Sequence, residues 1–292
     1  MYRILTIDGG GIAGISVSHF IKNIEEHLLL NEKISSYFDG FAGTSTGAII
    51  AAGLALGYSG KEIYEMYENN IKHIFTSTFF RKINPFVSKY DNKVLIEVLK
   101  KYFGDTLMTD LKTRLYIPTT NIKNATTKVW DNNDSIPVWY AVLTSCSAPT
   151  YFPVVDGIYC DGALWGNNPV LVGSLGFKRD VQVPMKLLSV MSIGTSCHVL
   201  KENPISNRMT KLDWLPVITN FLTTGNEQSS NFYASELDLG QYYRLQPTIE
   251  TDFTLDDLSK INYLNEIWYS YYELQKDKLD TYFKKKSLEE LT

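Results

Sequence analysis

The chain has 292 residues, 44% hydrophobic and 13% aromatic, enough to bury a core in one large or two small domains. Its formal net charge of −4 leaves no basic footprint for nucleic acid. Three cysteines, Cys146, Cys160 and Cys197, are too few for a disulfide framework and form neither a CxxC pair nor a Cys/His cluster with zinc spacing, so no metal is expected and they read as reduced intracellular thiols.

In chain order, a strand is predicted over residues 2–7 (YRILTI), running straight into Gly9, Gly10 and Gly11. Three glycines in a row are costly to order, so bare backbone must be needed there. A helix follows over 14–30, then a short strand over 38–42 and a helix of small and apolar residues over 46–57. Asp8 and the glycines interrupt any apolar run that would make a signal peptide. The longest apolar stretch, 47–58, falls short of the roughly 18 residues that span a bilayer. Together these predict a cytoplasmic protein.

Further on, helices are predicted over 60–73 and 91–102, strands over 114–120 and 126–130, and helices over 138–145 and 168–177. A strand over 187–193, a helix over 214–235, a strand over 242–246 and an amphipathic helix over 256–284 complete the pattern. Strand–helix alternation of this kind predicts a mostly parallel sheet covered by helices on both faces. No repeat, low-complexity segment or linker divides the chain, so a single domain over 1–292 is expected. In the last helix Leu258, Ile261, Leu264, Trp268, Tyr271, Tyr272, Leu279, Tyr282 and Phe283 recur at helical spacing, a face for packing on the sheet. Lys284, Lys285 and Lys286 end it as a solvated terminus. Residues 74–90 mix Ile74, Phe75, Phe79, Phe80, Ile83, Phe86 and Val87 with Arg81, Lys82 and Lys89 around Pro85. Apolar side chains beside cations suit a lid or a lipid-contacting loop; a loop whose aromatics fill the core is the alternative.

Two further stretches carry chemistry. Gly43-Thr44-Ser45-Thr46-Gly47 is a G-x-S-x-G pattern between a strand and a helix, the setting of a nucleophile elbow. There the Ser45 hydroxyl would stand at a helix N-terminus, where the dipole favours developing negative charge. A serine needs a base. Of the four histidines, His19, His27 and His73 fall on predicted helices, and His198 alone follows a strand. A carboxylate can serve instead if burial raises its pKa. Asp161-Gly162-Ala163, followed by Asn167-Asn168-Pro169, sets an acid on a turn before a helix.

The stretches Asp8-Gly9-Gly10-Gly11 to Gly14, Gly43 to Gly47 and Asp161 to Ala163, in that order, resemble the three signature motifs of the patatin-like phospholipases. "SCSAPTYFPVV" (145–155), "GNNP" (166–169), "LLSVMSIGTS" (187–196) and "YRLQPTIETDFTLDDLSKINYL" (243–264) are similar to further family segments, so the resemblance covers nearly the whole chain. It implies a patatin-like three-layer α/β/α sandwich, a single catalytic domain and a Ser–Asp dyad without histidine. On this resemblance Ser45 is the nucleophile, Asp161 the base, and the N–H groups of Gly9, Gly10 and Gly11, chiefly the last two, the oxyanion hole. The implied activity is hydrolysis of membrane phospholipid or other acyl-ester lipids through an acyl-enzyme, with no cofactor and no metal. Peripheral membrane contact would fall to 74–90. Family analogy adds an effector role in bacterial anti-phage defence, a homo-oligomer and a cyclic-nucleotide activator. The family loop carries Lys or Arg one residue before Gly14, where this chain has Ala13; Arg81 or Lys82 would have to substitute for phosphate head-group recognition, and neutral lipids stay open as substrates.

Two other readings fit part of the pattern. A catalytically weak family member would be a lipid-binding module. Gly9, Gly11 and Gly14 also fit G-x-G-x-x-G, the dinucleotide-binding pattern, but Asp39 lies at the start of the second strand and not at its end, where a ribose contact would need it.

Overall fold

The computed structural model describes residues 1–289 apart from 79–80, 82–83, 85, 196, 199–208, 211–212, 215–216, 219–220 and 252. The chain opens with β1 (Tyr2–Ile7), α1 (Ala13–His27), β2 (Gly40–Gly43), α2 (Thr46–Ala55), α3 (Gly60–Ile74) and α4 (Lys93–Phe103). It continues with β3 (Arg114–Asn121), β4 (Thr126–Trp130), α5 (Val138–Cys146), β5 (Tyr159–Asp161), the single turn α6 (Ala163–Gly166) and α7 (Val170–Val181). Then come β6 (Leu188–Ile193), β7 (Cys197–His198), α8 (Asn226–Glu236), β8 (Gln241–Leu245), β9 (Thr248–Ile249) and α9 (Ile261–Glu289).

Seven strands form one sheet of order β4-β3-β2-β1-β6-β8, with β5 also paired to β3. The pairs β1–β2, β1–β6, β2–β3 and β6–β8 are parallel, while β4 and β5 run antiparallel to β3. Alternation along β1 splits the core in two. Leu5 and Ile7 join α1, α2, α3, α5 and α9 on one face, and Ile4 joins α7 and α8 on the other. This is the expected three-layer sandwich.

Local chemistry explains the elements. Helix α2 is buried along almost its whole length, which suits a run of Ala, Ile and Gly with no polar face. Helix α3 starts at a capping box, in which Ser59 and Glu62 satisfy each other's backbone N–H. Helix α9 buries Leu264, Trp268, Tyr272, Leu279, Tyr282 and Phe283, the face read from its spacing. It begins a few residues later than predicted, because residues 258–260 form a 3₁₀ turn. Within the predicted helix 214–235, the structure forms a π-turn at Phe221–Gly225 and then an α-helix over Asn226–Glu236. Strand β5 and the small β7–β9 sheet lacked a sequence signal, being only two or three residues long. No described helix is long and apolar enough to cross a membrane.

Because the parallel strands all point one way, their C-terminal ends collect the glycine loop after β1, Ser45 after β2 and Thr195 after β6 on one edge. Ligand crevices form at that edge in open α/β sheets.

Candidate active site

Ser45 sits between β2 and α2 with φ +53° and ψ −124°, a conformation that side-chain-bearing residues rarely adopt. Such strain costs about 1–3 kcal/mol and persists only where the surroundings impose it. Here they do. A Cβ on Gly43 would collide with the Gly47 carbonyl, and one on Gly47 with the carbonyls of Ile7 and Asp8. The two motif glycines therefore let strand, turn and helix pack backbone to backbone. The Ser45 N–H donates to Ser145 Oγ at 3.0 Å, and Ser145 donates to the Pro118 carbonyl at 2.7 Å.

Asp161 ends β5, opposite Thr119 of β3, and is buried. It stands where it does because Gly162 passes directly over the Pro118 carbonyl, leaving no room for a Cβ. Burial raises the Asp161 carboxyl from the ordinary 3.8 to about 7, against the opposing pull of the Ala163 N–H and the Ser45 side chain. Ala163 N donates to its Oδ1 at 2.8 Å, and the Ser45 side chain is near enough to pull its pKa down. Sequence spacing left these two residues 116 apart, and the fold joins them. Burial also pushes the Cys146 thiol, beside the same serine, well above its ordinary range. Among the described residues, no histidine lines the cavity that holds Ser45. His19 packs against Tyr64 with the rings tilted, and His27 lies beside Tyr272. The His198 side chain lies outside the described residues.

The glycine loop lies against this pair. A Cβ on Gly9 would stand 3.3 Å from the Ser45 Cβ. The Gly9 N–H donates to the Asn167 carbonyl at 3.1 Å, so it is already engaged. Ile12 N donates to Leu255 O at 2.9 Å, Ala13 N to Gly10 O and Gly14 N to Gly11 O, both at 3.2 Å. Among the described residues, nothing accepts from the N–H of Gly10 or Gly11. Thr195 donates its hydroxyl to the Gly9 carbonyl at 2.5 Å.

Behind the loop the Arg244 guanidinium grips the fully buried Asp8 with two bonds, of 3.0 and 2.5 Å, and also donates to Ser192 at 2.7 Å. Glu227 shares the same guanidinium at 3.1 Å. Burial and the nearby Asp8 raise the Glu227 carboxyl to about 7. Ala13, where a cation was expected, is packed in the core. Of its suggested substitutes, Arg81 pairs with Asp91 at 3.1 Å and Lys82 lies outside the described residues. Asp39 accepts from Arg3 N at 2.8 Å, at the N-terminal end of β1 and away from the loop, so it offers nothing to a ribose.

Ser45 opens onto an apolar cavity of about 60 Å³, walled by Ile49, Ile74, Phe75, Leu95 and Phe152 and closed by Leu255 over Gly11. Tyr151 and Phe152 separate it from an open groove of about 730 Å³ that includes Arg81, Phe86, Val87, Lys89 and Val154. Segment 74–90 is part core and part surface. Phe75 packs on Tyr90 and Phe152, while Phe86 is 92% exposed. Phe79, Phe80, Ile83 and Pro85 lie outside the described residues.

The patatin-like phospholipase family model matches residues 5–173, more than half of the chain. The chain belongs to that family. This patatin-like protein is similar to the cGAMP-activated phospholipase of Vibrio cholerae, at 27% identity over 226 residues, 66% of this chain and 64% of that protein. It is also similar to the cGAMP-activated phospholipase of Pseudomonas aeruginosa, at 30% over 215 residues, 67% and 64% of the two chains. The match therefore spans 64% of the length of each of these relatives. Patatin-16 of Solanum tuberosum is 25% identical over 322 residues, covering 90% of this chain and 81% of that one. Among solved structures, VipD from Legionella pneumophila shares the fold, with a TM-score of 0.50 at 13% identity over 93% of this chain and 67% of that one.

Proposed function

We propose that this patatin-like protein is a single-domain lipid acyl hydrolase. One observation carries the reading: a serine held at a strained elbow lies beside a buried carboxyl raised to about 7 and next to a glycine loop with two unclaimed backbone N–H groups, on an apolar cavity that Ser45 and Gly11 both line. Ionised Asp161 takes the Ser45 proton as Oγ bonds to the ester carbonyl carbon. The Gly10 and Gly11 N–H groups receive the oxyanion, with the Gly9 N–H supporting the loop through Asn167. The ester C–O bond then breaks, and Asp161 returns the proton to the departing alcohol. In the second half Asp161 deprotonates a water that attacks the acyl-enzyme, releasing the fatty acid and restoring Ser45. Oxyanion donors of this kind are each worth ~10²–10³ in rate, and a general base ~10²–10⁴. The step needs no metal or cofactor.

The apolar cavity supports an acyl chain as the group bound next to Ser45. The neighbouring groove, with Phe86 exposed beside cations, supports peripheral contact with a membrane surface. The names of the relatives support a cyclic dinucleotide as activator, and a place in anti-phage defence follows from the same analogy.

A fluorophosphonate probe tests the chemistry. It is expected to label the wild-type protein and not Ser45→Ala, and acyl-ester hydrolysis is expected to vanish in Ser45→Ala. A wild-type protein that is neither labelled nor active on any acyl ester, with and without cGAMP, refutes the reading and leaves a lipid-binding module. Sizing with and without cGAMP reads out a homo-oligomer.

A further inference from the structure

Of the three consecutive glycines, Gly10 and Gly11 leave their N–H groups unclaimed among the described residues, and as oxyanion donors those two must point at the oxygen that gains charge beside Ser45. Glycine is the residue least able to hold a direction by itself. Something outside the loop must therefore aim them. In a trans peptide unit the C=O and the N–H that follows it lie in one plane and point in opposite directions. Fixing the Gly9 carbonyl thus fixes the direction of the Gly10 N–H.

The Gly9 carbonyl is held by the Thr195 hydroxyl, 2.5 Å away. Thr195 is buried on the turn after β6, one residue past Gly194, whose N–H is anchored to the Leu245 carbonyl at 2.8 Å. The contact is tight enough to dictate sequence, since a Cβ on Gly10 would collide with Thr195 Oγ1 and Cβ. On its other side the Gly9 N–H is tied to Asn167 O at 3.1 Å. The Gly9 backbone is therefore gripped from two parts of the chain far away in sequence. The next peptide is fixed differently, because the Gly10 carbonyl takes the N–H of Ala13 in the first turn of α1. A rigid helix thus aims Gly11, and a single hydroxyl aims Gly10.

We infer that Thr195 is a positioning residue for the oxyanion hole, acting through the Gly9–Gly10 peptide and never touching the substrate. The inference rests on the hydrolase reading above. Without the hydroxyl, the buried Gly9 carbonyl has no donor. The peptide is then free to rotate, which swings the Gly10 N–H away from the oxyanion while leaving the acyl cavity intact. Substrate binding should be spared and the chemical step slowed.

The test compares Thr195→Val, Thr195→Ala and Thr195→Ser with wild type and Ser45→Ala on a soluble p-nitrophenyl ester. The rate of fluorophosphonate labelling is followed in parallel, and thermal melts set a working temperature at which every variant is folded. Val and Ala are expected to lower kcat about 10- to 100-fold, below the ~10²–10³ seen when a donor is removed outright. KM should stay within about twofold, and labelling should slow in proportion. Ser, which keeps the hydroxyl, is expected to return kcat to within about threefold of wild type. If the Val variant does not fold, the Ala and Ser pair decides, since both lack the methyl and differ in the hydroxyl. A folded Val or Ala variant with kcat near wild type, or a Ser variant as slow as Ala, overturns the inference. An active wild type, an inert Ser45→Ala and fast Thr195 variants sink this inference alone. An inert, unlabelled wild type sinks it together with the hydrolase reading.

Discussion

Replacing Asp161 with Asn should make the protein more stable and inactive, and the size of the gain should depend on pH. Asn keeps the shape and the acceptor for the Ala163 N–H but cannot ionise. In the native protein Asp161 binds its proton up to about pH 7, whereas the unfolded chain releases it above the ordinary 3.8. Between those values the unfolded state holds fewer protons, so wild-type stability falls as pH rises. At about 1.4 kcal/mol per pKa unit, the full cost of holding the carboxylate in the site is about 4 kcal/mol. That cost is absent near pH 4, grows to about pH 7 and is constant above. Glu227 also rises to about 7 but titrates in both proteins and cancels in the comparison. Melts of the two proteins from pH 4 to pH 9 should therefore diverge through this window, by on the order of 8 °C at the top for a chain of this size. The rate should mirror this behaviour. Wild-type kcat/KM should rise through a limb near pH 7, and Asn should lose ~10²–10⁴ in rate. A melting gap that does not change with pH, or a wild type more stable than Asn at pH 8, would refute the claim that Asp161 is a base raised by burial.

Arg244→Met leaves Asp8 and Glu227 buried without their cation, and should cost about 3–5 kcal/mol in urea unfolding; adding Asp8→Asn should return part of that loss. Leu255→Ala should open the cavity beside Gly11 and shift preference toward longer acyl chains, by about fourfold in kcat/KM for each methylene newly buried, read on a series of p-nitrophenyl esters. Phe86→Ser should weaken sedimentation with phospholipid vesicles about tenfold or more while leaving hydrolysis of a soluble ester unchanged; equal vesicle binding would remove segment 74–90 from the membrane face.

Much of the molecule was legible in the sequence for identifiable reasons. The parallel strands of the central sheet were read because buried parallel strands are apolar runs, and helices α1 to α3 because their amphipathic spacing or small residues are local properties. Ser45 was read because its flanking glycines answer a local demand, the close approach of β2, β1 and α2. Asp161 could be read only as an acid on a turn, since its raised pKa comes from burial beneath segments far away in the chain. Ser145, Asn167, Thr195 and Arg244 lay inside stretches that resembled the family, but no residue pattern assigned them a task. Thr195 is an ordinary threonine after a strand until its hydroxyl meets the Gly9 carbonyl, 186 residues earlier.

The sequence by itself determined the longer elements, the layer order they favour and the three chemistry-bearing stretches, because propensity, periodicity and backbone crowding act over a few residues. Only the tertiary structure decided which glycine N–H groups stay free, what holds them in place, and that the cation near the loop comes from β8 and not from position 13. These depend on directions and distances between segments that meet only after the sheet has formed, and hydrogen bonds and charges act at those distances.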